Sequence, residues 1–291
     1  ALTAQYGEAV AAQIEQGMGE QRITTLRANL LKTTPEDVAS VLSAAGIAYT
    51  RWAAEDAAFL LEGADERAVQ ALPLYERGEI YLQSLSSMLP PLALAPQEGA
   101  DILDMAAAPG GKTAQMAAMT GNRANITACE INQIRAEKLK YNLNKQGATR
   151  VNIMVRDARK LGDFFRFDQI LLDAPCSGSG TILLNEPASY RAFSEKLVRN
   201  SAAAQLALLK KALTILKKGG TMVYSTCSIL NIENENVVRA ALKGAHAHVE
   251  PISLPGMDSL PLLPCALEGA LCVRPTAQYE GFFVARIRKD G

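Results

Sequence analysis

The chain has no apolar run of transmembrane length, so nothing in it is expected to span a bilayer. Residues 1–19 lack a cationic start followed by an apolar block, so no secretory leader is expected. The first residue is Ala1, which suggests a removed initiator Met or a trimmed terminus. Histidine is scarce, with only His246 and His248. Lying two apart with thin carboxylate or thiolate support, they are expected at the surface or in packing roles, and no metal is expected. The five cysteines, Cys129, Cys176, Cys227, Cys265 and Cys272, are odd in number and contain no C-x-x-C pair. That argues against a disulfide framework and a zinc site, and for a reducing cytoplasm. No internal repeat or low-complexity tract is visible, and net charge is zero.

What is present describes an ordinary globular protein. Hydrophobic residues make up 48% and charged residues 21% of 291, enough for a large domain with a small companion. The zero net charge hides an asymmetry. Residues 1–100 carry thirteen acids against six bases, which leaves seventeen acids and twenty-four bases in the remainder, about +7. Such an excess suits a phosphate-rich partner without identifying one.

Residues 1–18 read as an amphipathic helix, and 24–32 as a strand. Thr34-Pro35-Glu36-Asp37 starts a helix with a Thr cap, Pro at the first turn and acids behind it. Residues 47–52 and 57–61 read as strands, making a small α/β module up to about Leu74. Residues 77–94 read as a connector and a helix that packs on the next domain. From Pro96 onward strands and helices alternate, which predicts a parallel sheet. The strands are 101–104, 125–130, 151–157, 167–173 and 221–227. The helices are 132–146, stopped by Gly147, then 197–218, stopped by Gly219-Gly220, then 231–243. Residues 281–288 read as a closing edge strand.

Strand after strand ends in a residue fit for chemistry: Asp104, Glu130, Asp157, Asp173, Cys227. In open parallel sheets, ligands bind outside the carboxyl ends of strands. One terminal acid is a commonplace helix cap, whereas four with a cysteine point to a shared crevice. The run Asp101-Ile-Leu-Asp-Met-Ala-Ala-Ala-Pro-Gly-Gly-Lys112 is central. A strand, a small-residue turn and a helix start bring a ligand close to backbone N–H groups. Its spacing is neither that of a phosphate P-loop nor that of the dinucleotide glycine pattern.

Three runs in order, Met105 to Lys112, Asp173-Ala-Pro-Cys-Ser-Gly and Tyr224-Ser-Thr-Cys-Ser228, resemble the NOL1/NOP2/Sun family of RNA cytosine-5 methyltransferases. Leu26-Arg-Ala-Asn-Leu, Tyr81-Leu-Gln-Ser-Leu-Ser-Ser-Met-Leu-Pro90 and Gly281-Phe-Phe-Val-Ala are similar to it too. The resemblance runs from about residue 20 to 289. It implies an α/β fold: a class I, Rossmann-like methyltransferase domain at 96–291, behind an N-terminal helix at 1–20 and a small RNA-recognition-like module with connector at 21–95. It implies S-adenosylmethionine as cofactor and RNA as partner, ribosomal RNA before tRNA. A DNA methyltransferase and a catalytically idle RNA-binding factor are the rivals. A cytoplasmic monomer is expected.

By the family pattern, Ala106, Ala107, Ala108, Pro109, Gly110, Gly111, Lys112, Glu130, Asp157 and Asp173 line the cofactor and reaction site. Arg135 resembles a further cofactor-side residue. Glu130 suits the ribose hydroxyls, because a carboxylate accepts from both; Asp157 suits the adenine amino group. The family usually has Cys where Ala106 stands, which touches fine packing only. Carbon 5 of cytosine is a poor nucleophile until a thiolate adds to carbon 6. Asp173 is placed to assist ring nitrogen 3 if it is protonated or shares a proton. Chemistry and spacing do not choose between Cys176 and Cys227 as nucleophile. The resemblance implies Cys227, with Cys176 assisting breakdown of the adduct; the other three cysteines are expected to be structural. Phosphate contacts are expected from Lys138, Lys140 and Lys145, from Lys196, Arg199, Lys210 and Lys211, and from Arg286, Arg288 and Lys289.

Overall fold

The computed structural model describes residues 2–291; Ala1, the first residue of the expected N-terminal helix, lies outside them. Two short helices, α1 (Leu2–Tyr6) and α2 (Glu8–Gly19), open the chain. Their apolar face, Tyr6, Val10, Ile14 and Met18, packs into the core of the C-terminal sheet rather than against the small module. Gln5 Nε2 and Tyr6 Oη both donate to the Ile229 carbonyl.

The small module follows as β1 (Thr25–Ala28), α3 (Pro35–Ala44), β2 (Ala48–Trp52), β3 (Glu55–Glu62), α4 (Glu66–Gln70), α5 (Pro73–Glu76) and β4 (Ile80–Leu82). Its sheet is antiparallel, in the order β2-β3-β1-β4. This βαββαβ connectivity is that of the split βαβ fold. Thr34 caps α3 by accepting from the Asp37 amide at 3.2 Å. Leu26, Val38, Leu42, Phe59, Leu61 and Ile80 fill the core. Two sequence expectations change. The strand expected over 24–32 is only four residues long, and the expected connector supplies β4, which completes the sheet. A three-residue strand has too few positions to show an alternation; its pairing with Leu26–Ala28 defines it.

The buried helix α6 (Leu85–Leu94) leads into a Rossmann-like layer of β5 (Asp101–Asp104), α7 (Gly111–Met119), β6 (Asn125–Glu130), α8 (Gln133–Gln146), β7 (Val151–Val155), β8 (Phe167–Asp173), α9 (Pro187–Tyr190), α10 (Glu195–Ile215), β9 (Leu216–Thr226), α11 (Glu235–Leu242), β10 (Ala247–Glu250), β11 (Leu271–Val273) and β12 (Phe282–Lys289). The sheet order is β10-β12-β9-β8-β5-β6-β7, with β11 pairing β12. Strands β5 to β9 are parallel, and β12 is antiparallel to β9. The chain winds one way through β5, β6 and β7 and the other way through β8 and β9. The crevice at the β5/β8 carboxyl ends is therefore the switch point where ligands bind in such sheets.

Three further expectations are corrected. The strand 282–289 is not an edge: β10 pairs outside it, so β12 lies within the sheet. The long helix ends at Ile215, and Gly219-Gly220 lies in the opening of β9. There the pairing jumps from Phe167–Leu216 to Gln169–Thr221, and residues 217–220 bulge out. Helix α11 begins at Glu235 rather than Asn231, because the side chains of 233 and 234 bond back into the site.

The module docks on the end of α8. Asn29 Nδ2 donates to the carbonyls of Gly78 and Gln146, at 2.8 and 2.7 Å. Lys32 Nζ donates to those of Arg77 and Lys145. At Gly78, φ is +68° and a Cβ would sit 2.1 Å from the Lys145 oxygen, so only glycine allows this approach. No described helix is long and apolar enough to cross a membrane.

Candidate active site

A cleft of about 530 Å³ opens between the small module and the carboxyl ends of β5 and β8, a size suited to a small-molecule ligand. Module residues Thr25, Tyr81 and Gln83 form one wall. Ala106 to Pro109, Gly111 and Lys112 form another, and Asp173 and Cys227 stand at the end. Alanines keep that second wall close to backbone. Gly110 caps α7 with φ at +111°, and the Tyr81 ring lies so close to Gly111 that a Cβ there would be 2.7 Å from it. Module and loop thus close on each other.

Two thiols meet at that end. Cys176 Sγ and Cys227 Sγ are 3.1 Å apart, although 51 residues separate them in sequence. Cys227 lines the cleft and Cys176 does not. Cys176 is pushed well above the usual thiol range, first by its hydrogen bond to Cys227 and then by burial. It is held as a thiol. Spacing alone does not distinguish the two; in the structure only Cys227 opens onto the cleft.

Beside the thiols, Lys112 Nζ contacts Asp173 Oδ2 at 2.8 Å and donates to Ser87 Oγ at 2.7 Å. Ser225 Oγ donates to Asp173 Oδ1 at 2.8 Å. Burial alone would lower the Lys112 ammonium, but the Asp173 carboxylate raises it overall. Lys112 is therefore a cation paired with Asp173. Asp104 lies under the loop, fully buried, with Thr113 Oγ1 donating to it at 2.7 Å. Burial pushes its carboxyl up to about 6.

Glu130 is buried at the end of β6, accepting from the Asn132 amide at 2.9 Å. Its second oxygen faces Arg135 at 3.6 Å. Arg135 also donates to the Ala108 carbonyl at 2.9 Å, so it ties Glu130 to the small-residue loop. Asp157 is engaged otherwise: the Arg159 guanidinium grips both its oxygens, and the Arg159 amide donates to it. That hydrogen bonding holds it below the usual carboxylate range. Neither Glu130 nor Asp157 borders the main cleft.

The sequence singles out Asp104 only as a strand end, and it does not single out Thr113, Ser87, Ser225 or Glu233. Asp104 ended a strand, and Ser87 and Ser225 lay inside motif runs, so those carried a signal; Glu233 carried none. Cys129 and Cys272 are buried, and burial pushes Cys129 up to about 12. The basic tail is spoken for. Arg286 pairs with Glu250 and donates to Ala93 O, Arg288 faces Glu250, and Lys289 caps the end of α10 through the Leu213 and Leu216 carbonyls. Lys211 pairs with Asp163, and Arg199 with Glu195.

Helix α8 is different. Ile134, Lys138, Tyr141 and Lys145 recur at helical spacing on one face. Ile134 is 81% and Tyr141 64% exposed, and Lys145 Nζ lies 4.0 Å over the Tyr75 ring. A groove lined by Lys138, Lys145 and Tyr75 shares Tyr81, Leu82 and Pro109 with the cleft.

A family model described as 16S rRNA methyltransferase RsmB/F matches residues 91–288. The chain is 34% identical over 275 residues to the probable ribosomal RNA small subunit methyltransferase B of Bacillus subtilis, covering 92% of this chain and 60% of that protein. It is 40% identical over 224 residues to ribosomal RNA small subunit methyltransferase F of Shewanella piezotolerans, covering 73% and 46%. The chain thus spans about half the length of these curated relatives. Among solved structures, a methyltransferase homolog protein from Pyrococcus horikoshii superposes with a TM-score of 0.84 at 33% identity, over 97% of this chain and 91% of that one. NSun6 from Pyrococcus horikoshii shares the fold, with a TM-score of 0.88 at 23% identity over 99% and 96%.

Proposed function

The chain belongs to the RsmB/F family of 16S rRNA methyltransferases, and from that premise we propose that it methylates carbon 5 of cytosine in RNA, ribosomal RNA first, with S-adenosylmethionine as donor. The observation that carries this reading is the thiol pair at 3.1 Å, with one member in the cleft beside the Lys112–Asp173 pair.

The residues suit the donor. The alanine loop offers backbone and little bulk, Glu130 keeps an oxygen free of any closer donor than Arg135, and Ile131, 63% exposed, presents an apolar face beside it. Arg135 holds the loop to Glu130. For Asp157 to meet an adenine amino group, Arg159 must release one of its oxygens. Bound S-adenosylmethionine supplies an electrophilic methyl group.

The chain's own residues do the rest. Cys227 gives up its thiol proton to solvent, its thiolate sulfur bonds to carbon 6 of the flipped base, and the ring electrons move to carbon 5, which becomes nucleophilic. Charge that builds at nitrogen 3 is met by the Lys112–Asp173 pair, whose ammonium is a hydrogen-bond donor in the cleft. After methyl transfer a base removes the carbon 5 proton, the electron pair returns to the ring, and the carbon–sulfur bond breaks. Cys176, a thiol against the departing Cys227 sulfur, assists that release. We take 21–95 as the module that presents RNA, with α8 continuing its surface, and 96–291 as the domain that performs transfer, with residues 2–20 of the N-terminal helical segment bracing it.

The test is transfer of labelled methyl groups to small-subunit rRNA, tRNA and DNA, with the two cysteine variants in parallel. We expect label in rRNA, none with Cys227→Ala, and a denaturation-resistant RNA–protein band with Cys176→Ala that disappears in the double variant. A trapped band in Cys227→Ala instead would exchange the two roles. Label in DNA alone would overturn the RNA assignment, and no label in any nucleic acid would overturn the activity.

A further inference from the structure

Glu233 is completely buried, and no step above uses it. Its carboxylate accepts from the Ser177 amide at 2.8 Å, Ser177 Oγ at 2.5 Å, Ser228 Oγ at 2.7 Å and Gln205 Nε2 at 3.3 Å. Ser177 follows Cys176 and Ser228 follows Cys227. Gln205 also donates to the Pro175 carbonyl, just before Cys176, at 3.0 Å. Ser179 and Ser228 hydroxyls meet at 2.9 Å, a cross-link between the same two loops. One carboxylate therefore holds both cysteine loops, with a separate arm to each.

Burying a carboxylate without a cation in contact is costly, and donors to the charged form must offset it. A negative charge a few atoms from the thiol pair disfavours a second negative charge there. That works in the same direction as the larger effects of Cys227 and burial on Cys176.

We propose that Glu233 is a positioning residue that sets the thiol pair, its Ser228 arm aiming Cys227 for attack and its Ser177 arm holding Cys176 for release. This rests on the covalent reading above. Four variants test it: Glu233→Gln, Glu233→Asp, Ser177→Ala and Ser228→Ala. Each is read for methyl transfer, for the fraction of RNA trapped as adduct, and for the pH dependence of alkylation at each cysteine in the protein without RNA. Ser177→Ala should accumulate adduct severalfold over the parent, while Ser228→Ala should slow adduct formation without accumulation. Glu233→Gln should move the Cys176 alkylation midpoint to lower pH, and Glu233→Asp should restore part of it. Where Glu233→Gln fails to fold, the two serine variants decide. If all variants change only melting temperature, with adduct fraction and alkylation profiles like the parent's, Glu233 is a structural tie and the proposal falls. If the alkylation shift appears but the parent neither transfers methyl nor forms adduct, the clamp stands and the methyltransferase reading falls.

Discussion

Asp104 is a perturbed carboxyl at the base of the site. It is fully buried, and its carboxyl rises from an ordinary 3.8 to about 6, mainly by burial and in part through Asp173. The folded form therefore holds a proton that the unfolded chain has lost. The stability this contributes is full below about pH 4 and is lost as pH rises through about 6, on the order of 3 kcal/mol. Asp104→Asn, which cannot ionise, should gain on the parent by roughly that amount between pH 4 and pH 7.5 in denaturant titrations. A constant difference across that range would mean the carboxyl is not perturbed. At this scale the sequence was uneven. Asp173, Cys227 and Lys112 were legible because motif runs contain them. Asp104 was legible only as a strand end, since depth of burial leaves no local trace. Glu233 was hidden inside a stretch that reads as helix, because two of the three partner residues of its carboxylate, Gln205 and Ser177, lie 28 and 56 residues away.

Elements were legible where their signals were local. Helix α8 runs from its Asn132 cap to Gly147 as its ends predict, and β8 ends at Asp173 as read. The misses, β4, the internal place of β12 and the bulge opening β9, all depend on which strand lies alongside. The tightest such dependence is the crossing of two backbones. The Gly281 amide donates to Gly180 O at 2.8 Å, and the Gly180 amide to Cys227 O at 3.0 Å. A Cβ at Gly180 would lie 1.9 Å from the Gly281 oxygen. Backbone cannot yield there as a side-chain end can. Gly180→Ala should cost about 3 kcal/mol or more and push the Cys176 loop away from Cys227. Its catalytic loss should then exceed what its melting temperature explains, and full activity in the folded fraction would show that the loop tolerates the shift. Docking of the module has a milder counterpart. Asn29→Ala leaves the Gly78 and Gln146 carbonyls short of a buried donor, at a cost of about 1–3 kcal/mol in melting or denaturant measurements.

Charge sorts itself over the whole molecule in a way the count of +7 does not reveal. Many of the bases are engaged internally. Lys217 pairs with Asp101 and Asp168, Arg159 with Asp157, Arg286 with Glu250, and Lys289 caps a helix. The face of α8 is where lysines alternate with an exposed isoleucine and tyrosine, and its groove runs into the cleft that holds Cys227. Phosphates on Lys138 and Lys145 with a base against Tyr141 would bring a strand past the module to the reacting end. Two consequences separate this path from general basicity. RNA affinity should fall steeply with salt, and Lys138→Ala with Lys145→Ala should flatten the log–log slope by about one per lysine. Tyr141→Ala should weaken binding of single-stranded RNA by about 1–3 kcal/mol with little change in slope, since stacking releases no counterions. Filter binding across a salt series checks both, with cofactor affinity as the control that should stay fixed. Slopes and affinities equal to the parent's would move the RNA path off α8 while leaving the thiol chemistry untouched.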